Sequence, residues 1–169
     1  MDHRILQQLY ERYGREIYLY LYSLCRNHST AEDLLQETFL KVILSLSESH
    51  TNMRAWLYLV ARNLCFNRMK GEKRLYPLEQ ITDEVQLAND SPDLLEHFIA
   101  DERRKQLYLA LSELPRQKRE ILNMQYFGKL SQREIADILN LTPENVRVLS
   151  YRAKKELKSL MEAKGYDLS

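Results

Sequence analysis

Six side chains between residues 144 and 154 have the chemistry that proteins use to contact nucleic acid. They lie on the outward face of a predicted amphipathic helix and comprise Glu144, Asn145, Arg147, Tyr151, Arg152 and Lys154. Amide and guanidinium groups pair with base edges, and Arg and Lys also bind phosphates. No paired carboxylates, nucleophile–base set or phosphate-binding loop can be assembled from the chain. The sequence therefore favours a DNA-binding protein over an enzyme.

These side chains belong to a pair of helices predicted over residues 131–155. Ser131 and Glu134 form a capping box at the first start, and Asn140 suits a left-handed turn. Thr142 caps the second helix, which carries Pro143 at its first position. Apolar residues at helical spacing fill the corner: Ile135, Ala136, Leu139, Leu141, Val146 and Leu149. This spacing is typical of a helix-turn-helix, and the alternative is a purely structural corner in a helical protein.

The whole composition predicts an all-α protein of two small helical bundles. Only four Gly and four Pro occur among 169 residues. Residues 71–106 hold five basic side chains against nine acidic ones, whereas 1–70 hold nine against seven and 107–169 eleven against eight. Two mildly basic modules are thus separated by an acidic connection, which indicates two contact surfaces for a polyanion. We predict domains at 1–70 and 94–169, joined by a linker at 71–93.

The first bundle is predicted to contain three helices. The first covers residues 2–27 with Ile5, among others, on its buried side. The second starts at Ser29 or Thr30, and with Ser29 as the cap Glu32 would complete a capping box. The third follows a polar loop at 47–52 and is broken by Gly71. In the second bundle, a helix is predicted over about residues 92–113 and another begins at Pro115.

Residue spacing alone leaves the roles of two surfaces of the first bundle open. Glu32 and Asp33 suit the first turn of any helix, but Gln36 and Glu37 extend the polar face, as a docking surface for a basic partner would. The helix after residue 52 is basic, rich in amides and carries Trp56, which suits contact with single-stranded nucleic acid. Alternatively, Trp56 anchors the small core.

Other classes of site and location are disfavoured. Cys25 and Cys65 have neither CxxC nor Cys/His spacing, so no disulfide, zinc site, other metal site or cofactor is expected, and a reducing cytoplasm is the default. No signal peptide and no apolar run long enough to span a membrane is found, so a soluble protein is expected.

Three motifs occur in an order typical of one family. AEDLLQETFLKV, NMRAWLYLVARNLCFNRMK and LSELPRQKREILNMQYFGKLSQREIADILNLTPENVRVLSYRAKKEL resemble an extracytoplasmic-function (ECF, group 4) RNA polymerase sigma factor of the sigma-70 family, over residues 5–161. Many members have GTVKSRLxRAR where this chain has ENVRVLSYRAK, so its recognition helix is less basic. The resemblance implies a sigma-2-like domain, an acidic linker and a sigma-4-like domain.

The resemblance also implies a role for individual residues. The second helix would dock on the clamp helices of the polymerase β′ subunit, at or beside Asp33, Gln36, Glu37 and Phe39. The −10 element, held as single-stranded DNA, would be bound by Asn52, Arg54, Trp56, Arg62, Asn63, Arg68 and Lys70. The −35 duplex would be read by Arg133, Thr142, Glu144, Asn145, Arg147, Val148, Tyr151, Arg152 and Lys154.

The expected partners are core RNA polymerase (β′ clamp helices and β flap), promoter DNA and an anti-sigma protein, which in many members is membrane-anchored. No small-molecule substrate is expected. Two other classes of function are the alternatives. A conventional helix-turn-helix regulator would bind duplex DNA without polymerase, usually as a two-fold dimer. A helical adaptor would show no salt-dependent DNA binding at all.

Overall fold

The structure is a computed structural model, and it describes residues 3–45, 52–75 and 99–165. Over these residues the chain forms helices and no strand, so the predicted all-α fold is confirmed. Contacts divide it into two compact units, one containing α1–α3 and the other α4–α7. The helices are α1 His3–Cys25, α2 His28–Leu44, α3 Met53–Leu75, α4 Glu102–Leu111, α5 Arg116–Tyr126, α6 Gln132–Leu139 and α7 Pro143–Ala163.

The core of the first unit lies where its three helices meet in pairs. Large apolar side chains from each helix are fully buried there, among them Ile17, Leu21, Leu34, Phe39 and Leu57. Burial at 20–33 cal/mol per Å² of apolar surface makes this shared core the main stabilising contribution to the unit. The expected burial of Ile5 is wrong, because this side chain lies near the free end of α1 and is 41% exposed.

Two helix ends in the first unit differ from prediction. Asn27, not Ser29, caps α2, since its Oδ1 accepts a hydrogen bond of 2.9 Å from the Thr30 N–H. The predicted break at Gly71 is also wrong, because α3 continues through it to Leu75. A glycine inside a helix costs only about 1 kcal/mol relative to alanine, which a long packed helix tolerates.

The first described helix of the second unit starts later than predicted. Residues 99–101 are not helical, and α4 begins at Glu102 with Asp101 as its N-cap, so a continuous helix over 92–113 is wrong. A carboxylate at this position satisfies a free N–H of the first turn, here that of Arg103 at 2.9 Å. The predicted loop residues 47–51 and linker residues 76–93 lie outside the described residues.

Candidate DNA and polymerase interfaces

The helix-turn-helix forms through the local contacts that its sequence predicts. The Ser131 hydroxyl accepts from the Glu134 N–H at 3.1 Å, while the Glu134 carboxylate accepts from the Ser131 N–H at 2.8 Å. Asn140 ends α6 in the left-handed conformation, with φ 58° and ψ 47°. The Thr142 hydroxyl then caps α7 by accepting from the Asn145 N–H at 3.1 Å. The turn and both helix starts are therefore fixed by side chains within twelve residues of one another.

The inner face of α7 fixes how the helix is presented. Val146, Ala153 and Leu157 are buried against the rest of the unit. The Ser150 hydroxyl donates to the Gln125 side-chain oxygen of α5 at 2.8 Å. An ion pair joins Lys118 Nζ on α5 to Glu156 Oε2 on α7 at 2.7 Å. These contacts, spread over three turns, set the rotation of α7 about its axis and hence which residues face outward.

Every residue predicted to read duplex DNA lies on the exposed surface of this unit. Exposed side chains are found at Arg133, Thr142, Glu144, Asn145, Arg147, Val148, Tyr151, Arg152 and Lys154. Two of them are largely apolar: Val148 is 42% and Tyr151 64% exposed. Lys155 Nζ lies 5.6 Å from the centroid of the Tyr151 ring, so one face of that ring already has a cation beside it.

The residues of α3 predicted to contact single-stranded DNA fall into two groups, of which the first is Trp56, Arg62, Asn63 and Lys70. Asn63 and Lys70 are exposed, while Trp56 and Arg62 are half-buried, and the Arg62 guanidinium lies 4.4 Å from the centroid of the Phe66 ring. Asn52 serves the helix itself, because its Oδ1 accepts from the Ala55 N–H at 3.1 Å and caps α3.

The second group consists of Arg54 and Arg68, which form ion pairs within the unit. Arg54 Nε lies 3.0 Å from Glu16 Oε1 of α1, and its guanidinium lies 5.4 Å from the centroid of the Tyr13 ring. Arg68 pairs with Asp33 of α2 at 3.6 Å. Both pairs join α3 to a neighbouring helix, and the Asp33 pair joins a predicted polymerase contact to a predicted DNA contact.

A buried tyrosine, Tyr58, lies beside the ion pair of Arg54 and Glu16. Tyr58 is fully buried. Burial raises the pKa of its hydroxyl well above the ordinary value, and the negative charge of Glu16 adds to the effect. Tyr58 therefore remains neutral at physiological pH, and the charged groups of this cluster are Glu16 and Arg54.

The face of α2 predicted to dock on polymerase is mostly exposed. Asp33, Gln36 and Glu37 point to solvent, whereas Phe39 is 1% exposed and supports the surface from beneath. The Phe39 ring packs against Tyr10 of α1, with 5.6 Å between ring centroids.

An apolar groove adjoins this face and was not predicted from the sequence. It has a volume of about 600 Å³ and is lined by Leu6, Gln7, Tyr10, Glu11, Gln36, Phe39 and Leu40. Leu40 is 50% exposed, and Leu44 one turn later is 69% exposed. The available signal was that both leucines fall outside the buried stripe of α2, four residues apart.

Comparison with known proteins identifies the family. Residues 9–75 match sigma-70 region 2, and residues 104–157 match sigma-70 region 4. The ECF RNA polymerase sigma factor SigM of Bacillus subtilis is 31% identical to this chain over 92% of it and 94% of SigM. The chain belongs to the ECF RNA polymerase sigma factors. This family consists of regulatory proteins that direct polymerase to promoters, so the predicted membership and function are confirmed.

Further relatives agree with this sigma factor assignment. RNA polymerase sigma factor YlaC of Bacillus subtilis is 31% identical and covers 95% of both chains. The sigma factor RpoE of Bartonella quintana, solved with the anti-sigma factor NepR, has the same fold with a TM-score of 0.69 and 21% identity, covering 95% of this chain and 98% of RpoE. CnrH, solved with the cytosolic domain of CnrY, gives a TM-score of 0.66, 21% identity and coverage of 96% and 90%.

Membrane-spanning helices and metal-binding clusters are both absent from the part of this sigma factor that the structure describes. Within residues 3–45, 52–75 and 99–165, none of the helices has the length and apolar character needed to cross a membrane. Among the same residues, no cluster of His, Cys, Asp and Glu has the arrangement needed to hold a metal ion.

Proposed function

We propose that this sigma factor grips promoters at two points while bound to core polymerase through α2. The observation that supports this most directly is the match of its two units to sigma-70 regions 2 and 4, in that order along one chain. In this proposal the sigma-2-like domain at residues 1–70 and the sigma-4-like domain at 94–169 bind separate DNA elements, joined by the linker at 71–93. The catalytic chemistry belongs to the core enzyme.

Docking on polymerase is assigned to the exposed face of α2 and the groove beside it. Gln36 belongs to both, because its side chain is exposed and also lines the groove. A partner helix with an apolar stripe would bury Leu40 and Leu44, while basic groups beside that stripe would meet Asp33 and Glu37. The β′ clamp helices are the partner that family membership provides.

DNA contact in the first unit is assigned to α3. Asn63 and Lys70 are exposed, and the half-buried Trp56 and Arg62 offer an aromatic ring and a planar cation for stacking on unpaired bases. Holding a base out of the stack costs a few kcal/mol, which such contacts must offset. Arg54 and Arg68 would have to exchange their intramolecular partners for phosphate or base groups.

Duplex DNA contact is assigned to α6 and α7. The exposed face of α7 combines Arg147, Arg152 and Lys154 with Asn145, which gives both phosphate-binding and base-reading groups. In a helix-turn-helix the second helix enters the major groove. Together with the match to sigma-70 region 4, this supports assigning the −35 element to the second unit.

An inhibitory protein partner is part of the proposal. Two proteins of the same fold, RpoE and CnrH, were solved with NepR, an anti-sigma factor, and with CnrY respectively. We expect a partner of this kind to cover the α1–α2 groove, whose exposed leucines are costly to leave in water. A pull-down of the tagged chain from cells should recover both polymerase subunits and such an inhibitor, bound to different copies of the chain because both would occupy the same groove. Recovery of polymerase alone, with unrestrained transcription, would contradict the inhibitor.

A DNA-binding assay with and without core polymerase tests the proposed mode of action. We expect the purified chain to give a promoter complex only when core enzyme is present. Tight, two-fold binding to a duplex operator without core enzyme would instead indicate a conventional regulator. Leu40→Asp should abolish the core-dependent complex, and Val148→Ala should weaken it without changing binding to core.

A further inference from the structure

The exposed surface of α7 has an apolar centre and basic flanks. By helical spacing, Glu144, Val148, Tyr151 and Lys155 form one stripe directly opposite the buried Val146 and Ala153, with the two apolar-bodied side chains between the two charged ones. On one side of this stripe lie Arg147 and Lys154, and on the other lies Arg152. A single exposed valine is ordinary on a protein surface. Here, however, a valine and a tyrosine lie on adjacent turns of α7, on the side of the helix that faces away from the core.

The N-terminal part of this line, at Glu144 and Val148, carries no group that binds phosphate. Glu144 is exposed at the start of the stripe, and its carboxylate would repel a phosphate. Its place in the first turn is favoured by the helix dipole, which stabilises α7 but does not require an apolar residue at 148. Beside Val148 the cations stand on the flanks, and Lys155 lies on the line itself two turns further along. The backbone of a bound duplex would therefore run along the flanks and past the C-terminal end of the stripe, and Val148 would face the floor of the major groove.

Thymine is the base that offers an apolar group in the major groove. Its C5 methyl contacts apolar side chains there, whereas the other bases present hydrogen-bonding groups. Val148 lies in the second turn of α7, in the N-terminal half that reaches base edges in helix-turn-helix proteins. We infer that Val148 is a specificity-determining residue that reads a thymine methyl group in the −35 element, with the exposed ring of Tyr151 extending the same apolar surface.

This inference rests on the proposed −35 role of the second unit, and the test must separate the two. Core polymerase with this chain is used to recover a promoter from genomic fragments by run-off transcription. Each thymine of its −35 region is then replaced by deoxyuridine, which removes only the methyl group. Thymines of the spacer serve as the matched DNA control.

We expect deoxyuridine at one or two −35 positions to weaken promoter binding by the holoenzyme about fourfold. Burying one such group is worth about 0.8 kcal/mol, and 1.4 kcal/mol corresponds to tenfold. Val148→Ala should weaken binding to the thymine promoter by a similar factor and show no further loss at the sensitive position. Val148→Thr, which keeps the shape and one methyl group, should show a smaller loss.

Three outcomes would overturn the inference. If scrambling the whole −35 region weakens binding but no single deoxyuridine does, the −35 role stands and the thymine contact is wrong. If Val148→Ala retains the full deoxyuridine effect, another residue reads the methyl group. If scrambling the −35 region has no effect, the proposed role of the second unit fails, and the inference fails with it.

Discussion

Arg54 stabilises the first unit through its pair with Glu16, and replacing it by methionine tests this directly. Methionine keeps the apolar stem but leaves Glu16, whose side chain is 14% exposed, without its 3.0 Å cation. Breaking a buried pair costs 3–5 kcal/mol and losing an exposed one 0–1 kcal/mol. The Arg54 side chain is 35% exposed, so we expect an intermediate loss of about 2 kcal/mol, including its contact with Tyr13.

The assay follows the fluorescence of the only tryptophan. Trp56 lies in α3, so its emission reports unfolding of the first unit in urea. A loss of about 2 kcal/mol should also lower the melting temperature of a unit of this size by roughly 8–16 °C. Arg62→Met is the matched control, because its guanidinium lies on the same helix, 4.4 Å from the centroid of the Phe66 ring, and is not the cation paired with Glu16.

A double-mutant cycle separates the pair from other effects of the substitution. Arg54→Met combined with Glu16→Gln should be more stable than Arg54→Met alone, because the second change removes the buried charge whose 3.0 Å cation the first has taken away. The reasoning is refuted if Arg54→Met leaves the urea midpoint unchanged but abolishes promoter opening. That result would mean that the guanidinium acts on DNA and not on Glu16.

Three further predictions concern other parts of the molecule. Leu40→Asp should weaken binding to core polymerase at least tenfold in a binding titration, while Val148→Asp should leave it unchanged; equal affinities would exclude the groove. Asn140→Ala should destabilise the second unit by about 1 kcal/mol because of its positive φ, whereas Asn140→Gly should not, as followed by circular dichroism in urea. The raised pKa of Tyr58 means that, above about pH 10, the unfolded chain loses this proton while the folded chain keeps it. Stability should therefore fall above pH 10, and less steeply in Tyr58→Phe; parallel pH profiles of the urea midpoint would contradict this.

Local chemistry made the helix-turn-helix predictable. Ser131, Glu134, Asn140 and Thr142 each act within a few residues of their own position, so their types and spacing suffice. The cap of α2 was not predictable in the same way, because Asn27, Ser29 and Thr30 all have suitable side chains. The structure selects the first of them, where Arg26 has a φ of 55° immediately after α1.

Contacts between helices were beyond what the sequence could predict. The pairs Glu16–Arg54 and Asp33–Arg68 join residues that are distant along the chain, and periodicity alone does not set the relative rotation or offset of two helices. The groove beside Leu40 arises from the same unknown offset. Family resemblance supplied candidate residues for each surface, but only the packing shows which of their charges are already paired.

Run-off transcription tests the central claim most directly. Core polymerase is mixed with genomic DNA fragments, with and without the purified chain, and transcript starts are mapped. We expect discrete starts that require both the chain and core enzyme, each preceded by shared −10 and −35 sequences, and lost with Leu40→Asp. If the chain with core enzyme never initiates at any fragment, while the chain binds duplex DNA alone, the account of promoter-directing function is wrong.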